Sequence, residues 1–259
     1  MQQTPIPVSR RPSVPGLYNL RDVGGYEVDG GITRWRTLLR SDAFHQLSEE
    51  GREALRDLGV RTVIDLRKPS ERLASPKTWA EAGIEVRDIA IYDDVADVGV
   101  DLANSFDLAA YYEGMVRHAG RRLTQAVTAV AEAPAAVLVH CTAGKDRTGL
   151  VVALVLLAVG ASRRDVIADY STSELMLAGD WAEQMLERFK KERELPAVID
   201  PAGIIASSPA AALNSALDLI DREHGGVESY LETHGLTTSA AAQLRTMLVA
   251  PSTPDGAFQ

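Results

Sequence analysis

Apolar residues along this chain gather into short continuous runs separated by longer amphipathic stretches. The short runs are Thr37 to Arg40, Arg61-Thr62-Val63-Ile64-Asp65-Leu66, Ile84 to Ile91 and Ala135 to Val139. All four read as strands, and the β-branched run from Arg61 to Leu66 predicts a buried one. Leu17 to Tyr26 reads as a short extended segment closed by the turn at Gly24-Gly25. Ser48 is a good N-cap for a helix that turns Leu55 and Leu58 inward and stops at Gly59. Further helices are expected around Thr78 to Ala82, over Leu108 to His118, over Arg121 to Ala133 and from about Arg147 onward, while residues 92–107 are acidic and loop-like.

Strands alternating with helices predict an α/β fold with a central, mostly parallel sheet flanked by helices. Ligands of such sheets sit beyond the carboxyl ends of the strands. The Ala135 to Val139 strand runs into His140 and Cys141 at such an end. After Gly160 the character changes. Residues 163–195 form a charged helical stretch with an apolar side made of Val166, Ile167, Leu175, Met176, Trp181, Met185, Leu186 and Phe189. Small apolar residues at 201–212 read as a loop, and helices near 210–222, 226–234 and 237–249 finish the chain. The expected organisation is a flexible arm over residues 1–15, a single domain over 16–250 and a flexible tail over 251–259.

The chain has 259 residues, 46% of them hydrophobic, which suffices for one α/β core. Its net charge of −9 argues against a broad nucleic-acid-binding face, so attraction of an anionic ligand has to be local. One cysteine permits no internal disulfide and no cysteine-rich zinc site. The polar, proline-rich start lacks the apolar core of a signal peptide, and the longest apolar run, Leu150 to Ala161, is too short to span a bilayer. The expectation is a cytoplasmic protein without a transmembrane segment, export by a route without a signal peptide remaining open.

That one cysteine lies in His140-Cys141-Thr142-Ala143-Gly144-Lys145-Asp146-Arg147-Thr148-Gly149, between a strand and an apolar helix. A thiol placed there has the means to attack phosphorus. Thiolate is the reactive form, and a helix N-terminus with a nest of N–H groups favours it over the free thiol of pKa about 8.5. The N–H groups over Thr142, Ala143, Gly144 and Lys145 can wrap a phosphoryl dianion, and Arg147 can grip two of its oxygens. Gly144 allows the tight turn. Thr148 offers a hydroxyl to the sulfur. A leaving alkoxide or phenoxide needs a proton donor; Asp146, inside the loop, and Asp65, at the end of a neighbouring strand, are the two candidates. His140 points to the opposite strand face and reads as a structural partner of the loop. The bland readings are an inert buried thiol, solvated helix-end charges at Lys145 and Arg147, and an Asp65–Arg67 ion pair. A nucleotide-binding P-loop is excluded, because Lys145 is followed by Asp146 and the motif's first glycine would fall at Val139.

These residues resemble a known family. Cys141-(x)5-Arg147-Thr148 is similar to the motif of the cysteine-dependent phosphatases. The string His140 to Gly149, with Asn19-Leu20-Arg21-Asp22-Val23-Gly24-Gly25 and Val63-Ile64-Asp65-Leu66-Arg67, resembles bacterial protein tyrosine phosphatases of the mycobacterial secreted phosphatase B type, as does the run from Leu217 to Leu231. The resemblance covers about Val14 to Leu248. It implies a protein tyrosine phosphatase-like fold with a helical lid, which by position is residues 163–195. It also implies hydrolysis through a phosphocysteine, without metal or other cofactor. Implied substrates are phosphorylated proteins or peptides carrying phosphotyrosine, phosphoserine or phosphothreonine. Phosphoinositides are the alternative, since Lys145 and Asp146 resemble the loop of phosphoinositide phosphatases. A phosphate-binding module without turnover is the reading from another class. Arsenate reductases share Cys-x5-Arg but need further cysteines.

Overall fold

The computed structural model describes residues 10–73, 83–93, 107–192 and 206–251. The helix expected around Thr78 to Ala82, most of the acidic stretch, residues 193–195, residues 1–9 of the expected arm and residues 252–259 of the expected tail lie outside them. In chain order the strands are β1 (Arg21–Asp22), β2 (Glu27–Val28), β3 (Gly31–Thr33), β4 (Leu38–Ser41), β5 (Val60–Asp65), β6 (Glu85–Asp88), β7 (Ala136–His140) and β8 (Val249–Pro251). The helices are α1 (Glu49–Asp57), α2 (Pro69–Leu73), α3 (Leu108–His118), α4 (Gly120–Ala131), α5 (Asp146–Ala158), α6 (Arg163–Leu177), α7 (Asp180–Glu192), α8 (Ala210–His224), α9 (Val227–Thr233) and α10 (Thr238–Leu248).

Five strands form the main sheet in the order β1-β4-β7-β5-β6. All neighbours pair in parallel except β1 with β4. The strand ahead of Cys141 is therefore the central one. Side-chain alternation splits the core in two. Leu38, Ile64, Val137 and Val139 join one cluster with α3, α4, α5, α8, α9 and α10. Leu39, Val63, Ala136 and Leu138 join the other, with Leu55 of α1 and Val14 and Leu20 of the N-terminal segment. Each such buried aliphatic side chain contributes roughly 1.5–3 kcal/mol. The expected mostly parallel sheet between helices is thus present.

A second, antiparallel sheet, β2-β3-β8, joins residues near the start of the domain to Val249–Pro251. Nothing in the hydrophobic pattern signals it, because strands of two or three residues have no period to read.

Helix α5 is buried at every position from Arg147 to Leu156. Its lack of a polar face follows from that central seat. No side chain caps its N-terminus, so the first N–H groups are left for a ligand. Among the described residues no helix is long and apolar enough to cross a membrane.

Candidate active site

Cys141 follows the last residue of β7 and is only 2% exposed. From Thr142 to Lys145 the chain turns back into α5. Gly144 makes the turn with φ +66°, and a Cβ there would stand 2.1 Å from the Ser41 carbonyl oxygen. Only glycine fits both demands.

Each carbonyl from Cys141 to Lys145 meets a hydrogen-bond donor. His140 Nδ1 lies 3.0 Å from the Cys141 oxygen. The Ala43 N–H donates to Thr142 O at 2.9 Å, and Asn19 Nδ2 donates to Ala143 O at 2.9 Å. Arg40 Nη2 donates to Gly144 O at 2.8 Å. Lys145 O accepts the Gly149 N–H at 2.8 Å, an early bond of α5. In a trans peptide the N–H points opposite to its carbonyl. Holding five successive carbonyls therefore turns the N–H groups of residues 142–146 to the other side, as a nest for an anion. His140 is the loop's partner that its strand position suggested.

Arg147 stands in the first turn of α5, and Glu71 of α2 meets it with both carboxylate oxygens, Nη1–Oε2 at 2.7 Å and Nη2–Oε1 at 2.9 Å. Glu71 also accepts from the Thr142 hydroxyl. Burial pushes the Glu71 carboxyl up, but the hydrogen bonds and charge of Arg147, with the Thr142 hydroxyl, outweigh it and hold it at about 2. Glu71 takes the Nη1/Nη2 edge of the guanidinium; the Nε/Nη2 edge is the one left to grip a second anion. The ring of Tyr92 lies 5.3 Å from Arg147 Cζ.

Asp146 is partly exposed. Its Oδ1 accepts from the Tyr112 hydroxyl at 3.0 Å and lies 3.6 Å from Lys145 Nζ. Tyr112 in turn bonds the Tyr170 hydroxyl of α6 at 3.0 Å. Lys145 is buried and donates to Ser207 O at 2.8 Å. The Thr148 hydroxyl is buried and has no hydrogen-bond partner among the described residues, so the expected bond to the sulfur is not formed here. Asp65 is fully buried and sits beside His140, not in the loop. Its Oδ2 is 3.0 Å from Arg67 Nη2 and 3.6 Å from His140 Nε2, and its Oδ1 accepts the Arg67 N–H at 2.9 Å. The bland reading weighed for this residue, an ion pair with Arg67, is what the geometry contains.

Residues 12–250 match the tyrosine phosphatase family. The chain belongs to that family. It is 29% identical over 275 residues to the triple specificity protein phosphatase PtpB of Mycobacterium tuberculosis, spanning 91% of this chain and 98% of the relative. A tyrosine-protein phosphatase of Nostoc commune is 28% identical over 229 residues, 82% of this chain and 76% of that one. Among solved structures, the core catalytic domain of the PP-IP phosphatase SIW14 from S. cerevisiae matches with a TM-score of 0.40 at 18% identity, covering 70% of this chain and 91% of that chain.

Helices α6 and α7 of this phosphatase pack beside its loop. Trp181 and Met185 of α7 cluster with Leu177 of α6, and Tyr18 and Ala143 pack against them. Ser208 is strapped to α6, donating its N–H to Glu174 and its hydroxyl to Ser171 O. Glu71, Asn19 and Arg40 are the residues of the site that sequence reasoning missed. A signal existed for Glu71. Lys68-Pro69-Ser70-Glu71-Arg72 leaves the carboxyl end of β5, and β5 is the neighbour of β7. Asn19 opens the Asn19–Gly25 string that carries part of the resemblance but was given no role there, and Arg40 had only its place at the end of a short strand to mark it.

Proposed function

We propose that this tyrosine phosphatase hydrolyses phosphotyrosine in proteins and peptides in two steps through Cys141. The Cys141 thiolate attacks phosphorus. The S–P bond forms as the bond to the ester oxygen breaks, and the Asp146 carboxyl gives its proton to the leaving phenoxide. Water then attacks the phosphocysteine, Asp146 takes the water's proton, and the S–P bond breaks to return the thiolate and release phosphate. Arg147, by its Nε/Nη2 edge, and the N–H groups of residues 142–146 hold the phosphoryl oxygens throughout and stabilise the charge that builds there.

The observation that carries this reading is the loop itself. Five carbonyls are held away and one guanidinium is held in, around a buried thiol. Asp146 is preferred to Asp65 as the acid because Asp146 is partly exposed within the loop, while Asp65 is committed to Arg67. Thr148 has an uncommitted hydroxyl one residue beyond Arg147, which supports a role in easing departure of the sulfur. Substrate entry requires displacement of part of the cover, since Cys141 and Arg147 are both nearly shut from solvent. A reactive thiol without a partner cysteine fits a reducing compartment such as the cytoplasm.

A wider substrate range has a specific support. The Lys145 ammonium lies 3.6 Å from Asp146 and is bonded to Ser207 O; released from that carbonyl, it is a cation that a second phosphate of an inositol ring could meet. The mycobacterial relative is named a triple specificity protein phosphatase, a range wider than phosphotyrosine alone. The test is a panel of phosphotyrosine, phosphoserine and phosphothreonine peptides and phosphoinositides on wild type and Lys145→Ala. Phosphotyrosine turnover that survives the substitution, with a selective loss on phosphoinositides, supports both readings. A chain that turns over phosphoinositides and leaves every peptide untouched contradicts the main one.

A further inference from the structure

We infer that Asp169 of α6 is a positioning residue for the phosphate loop. It acts through Arg40, and through Arg21 and Asn19, on the carbonyls of Ala143 and Gly144. The inference rests on the proposed phosphate chemistry of that loop and extends it to a helix that the sequence assigned to the lid.

The contacts form a branched chain. One Asp169 oxygen, Oδ2, accepts from Arg40 Nη1 at 2.5 Å, and Arg40 Nη2 reaches Gly144 O at 2.8 Å and Lys145 O at 3.5 Å. The other oxygen, Oδ1, accepts from Arg21 Nε at 3.0 Å. Arg21 Nη1 donates to Asn19 Oδ1 at 2.5 Å, and that fixes the amide so that Nδ2 faces Ala143 O at 2.9 Å. Arg21 Nη2 further ties α6 by bonding the Asp169 carbonyl at 2.9 Å and Ser173 Oγ at 3.0 Å. Both arginines have no exposed surface, and Asp169 is 4% exposed.

Two consequences follow. First, the peptides 143–144 and 144–145 are oriented by side chains whose own positions depend on one carboxylate. Their N–H groups, on Gly144 and Lys145, are members of the nest. Second, two buried guanidinium charges face a single buried carboxylate. One positive charge beneath the loop is left without a carboxylate in this group, and its field favours an anion above. Tyr26 adds only a neutral hydroxyl, at 3.3 Å from Asp169 Oδ1. The residue after Asp169 reaches the loop from its other side, since Tyr170 bonds Tyr112 and Tyr112 bonds Asp146. Helix α6 thus holds both the carbonyl side of the nest and the proposed acid. It is part of the phosphate site and not only its cover.

The test uses the full-length protein, with inorganic phosphate as a competitive inhibitor of p-nitrophenyl phosphate hydrolysis. Asp169→Asn leaves two buried cations underpaired and stands to unfold the protein, so Asn19→Ala and Arg40→Lys accompany it. All three are measured well below their melting temperatures. The inference predicts that phosphate binding weakens about tenfold or more in Asn19→Ala, the scale of one hydrogen bond to a charge-holding group. It predicts a parallel fall in kcat/KM, and a smaller loss in Arg40→Lys, which keeps the charge and one donor. Variants with lowered melting temperatures but wild-type phosphate affinity and kcat/KM would make the network merely structural and overturn the inference. A wild type that neither binds phosphate nor turns over would instead sink the functional reading on which it rests.

Discussion

Arg147 shares its guanidinium between an internal carboxylate and, in the proposed reaction, a phosphoryl group. Glu71 is its counter-charge in this structure, and because Arg147 is buried, removing that half-buried partner leaves its charge poorly paired and destabilises the fold. A bound phosphate supplies a replacement charge. Glu71→Gln is therefore expected to melt below wild type, and saturating phosphate is expected to raise its melting temperature by more than it raises that of wild type. Equal increments would show that Glu71 does not balance Arg147. At Asp146 the expectation concerns the leaving group. Asp146→Asn should slow phosphotyrosine and phosphoserine peptides by about 10²- to 10⁴-fold while sparing p-nitrophenolate, which leaves without a proton. Equal losses on all substrates would remove Asp146 as the acid. Cys141, Arg147 and Asp146 were legible because they lie within one heptapeptide whose chemistry is local. Glu71 was not, because its contact with Arg147 spans 76 residues and depends on β5 and β7 being neighbours.

Elements were legible where they carried a period or a terminal signal. Ser48 caps α1, with its hydroxyl accepting the Gly51 N–H at 3.1 Å, and α3 begins and ends at the residues its pattern indicated. Ser48→Ala should cost about 1 kcal/mol in urea unfolding, and no loss would mean the cap is made by something else. The stretch from 163 onward read as one charged helical stretch, or as an ordinary surface helix pair, with no break placed in it. It is two helices, broken at Ala178 and Gly179, where Gly179 takes φ +80°. The apolar spacing on both sides of the break is similar, so the pattern runs through it. The β2-β3-β8 sheet escaped notice because register between residues 31–33 and 249–251 is a tertiary fact.

Across the whole molecule, buried carboxylates set opposing pH dependences. Burial pushes Asp42, beside the phosphate loop, up to about 6, although the N–H groups of Asn19 and Tyr18 bond it. Folded Asp42 thus keeps a proton that the unfolded chain, at 3.8, has released, and stability from this group falls as pH rises from about 4 to about 6. Asp42→Asn should therefore stabilise the protein at pH 7–8 by on the order of 2–3 kcal/mol and change little near pH 4. A stability loss at both pH values would contradict this. Burial opposes the charges of Asp169 and Glu71 as well, yet their arginine partners hold both at about 2. Their contribution is present above the unfolded carboxylate values and is lost as pH falls toward 2. The central claim is that phosphate passes through sulfur. Acid quenching of a reaction with a phosphotyrosine peptide, followed by mass spectrometry of the peptides of the protein, tests it directly. The account predicts one phosphoryl group on Cys141 during turnover, and none in a Cys141→Ser variant that has lost turnover. Undiminished turnover in that variant, or a phosphoryl group found on another residue, would contradict it.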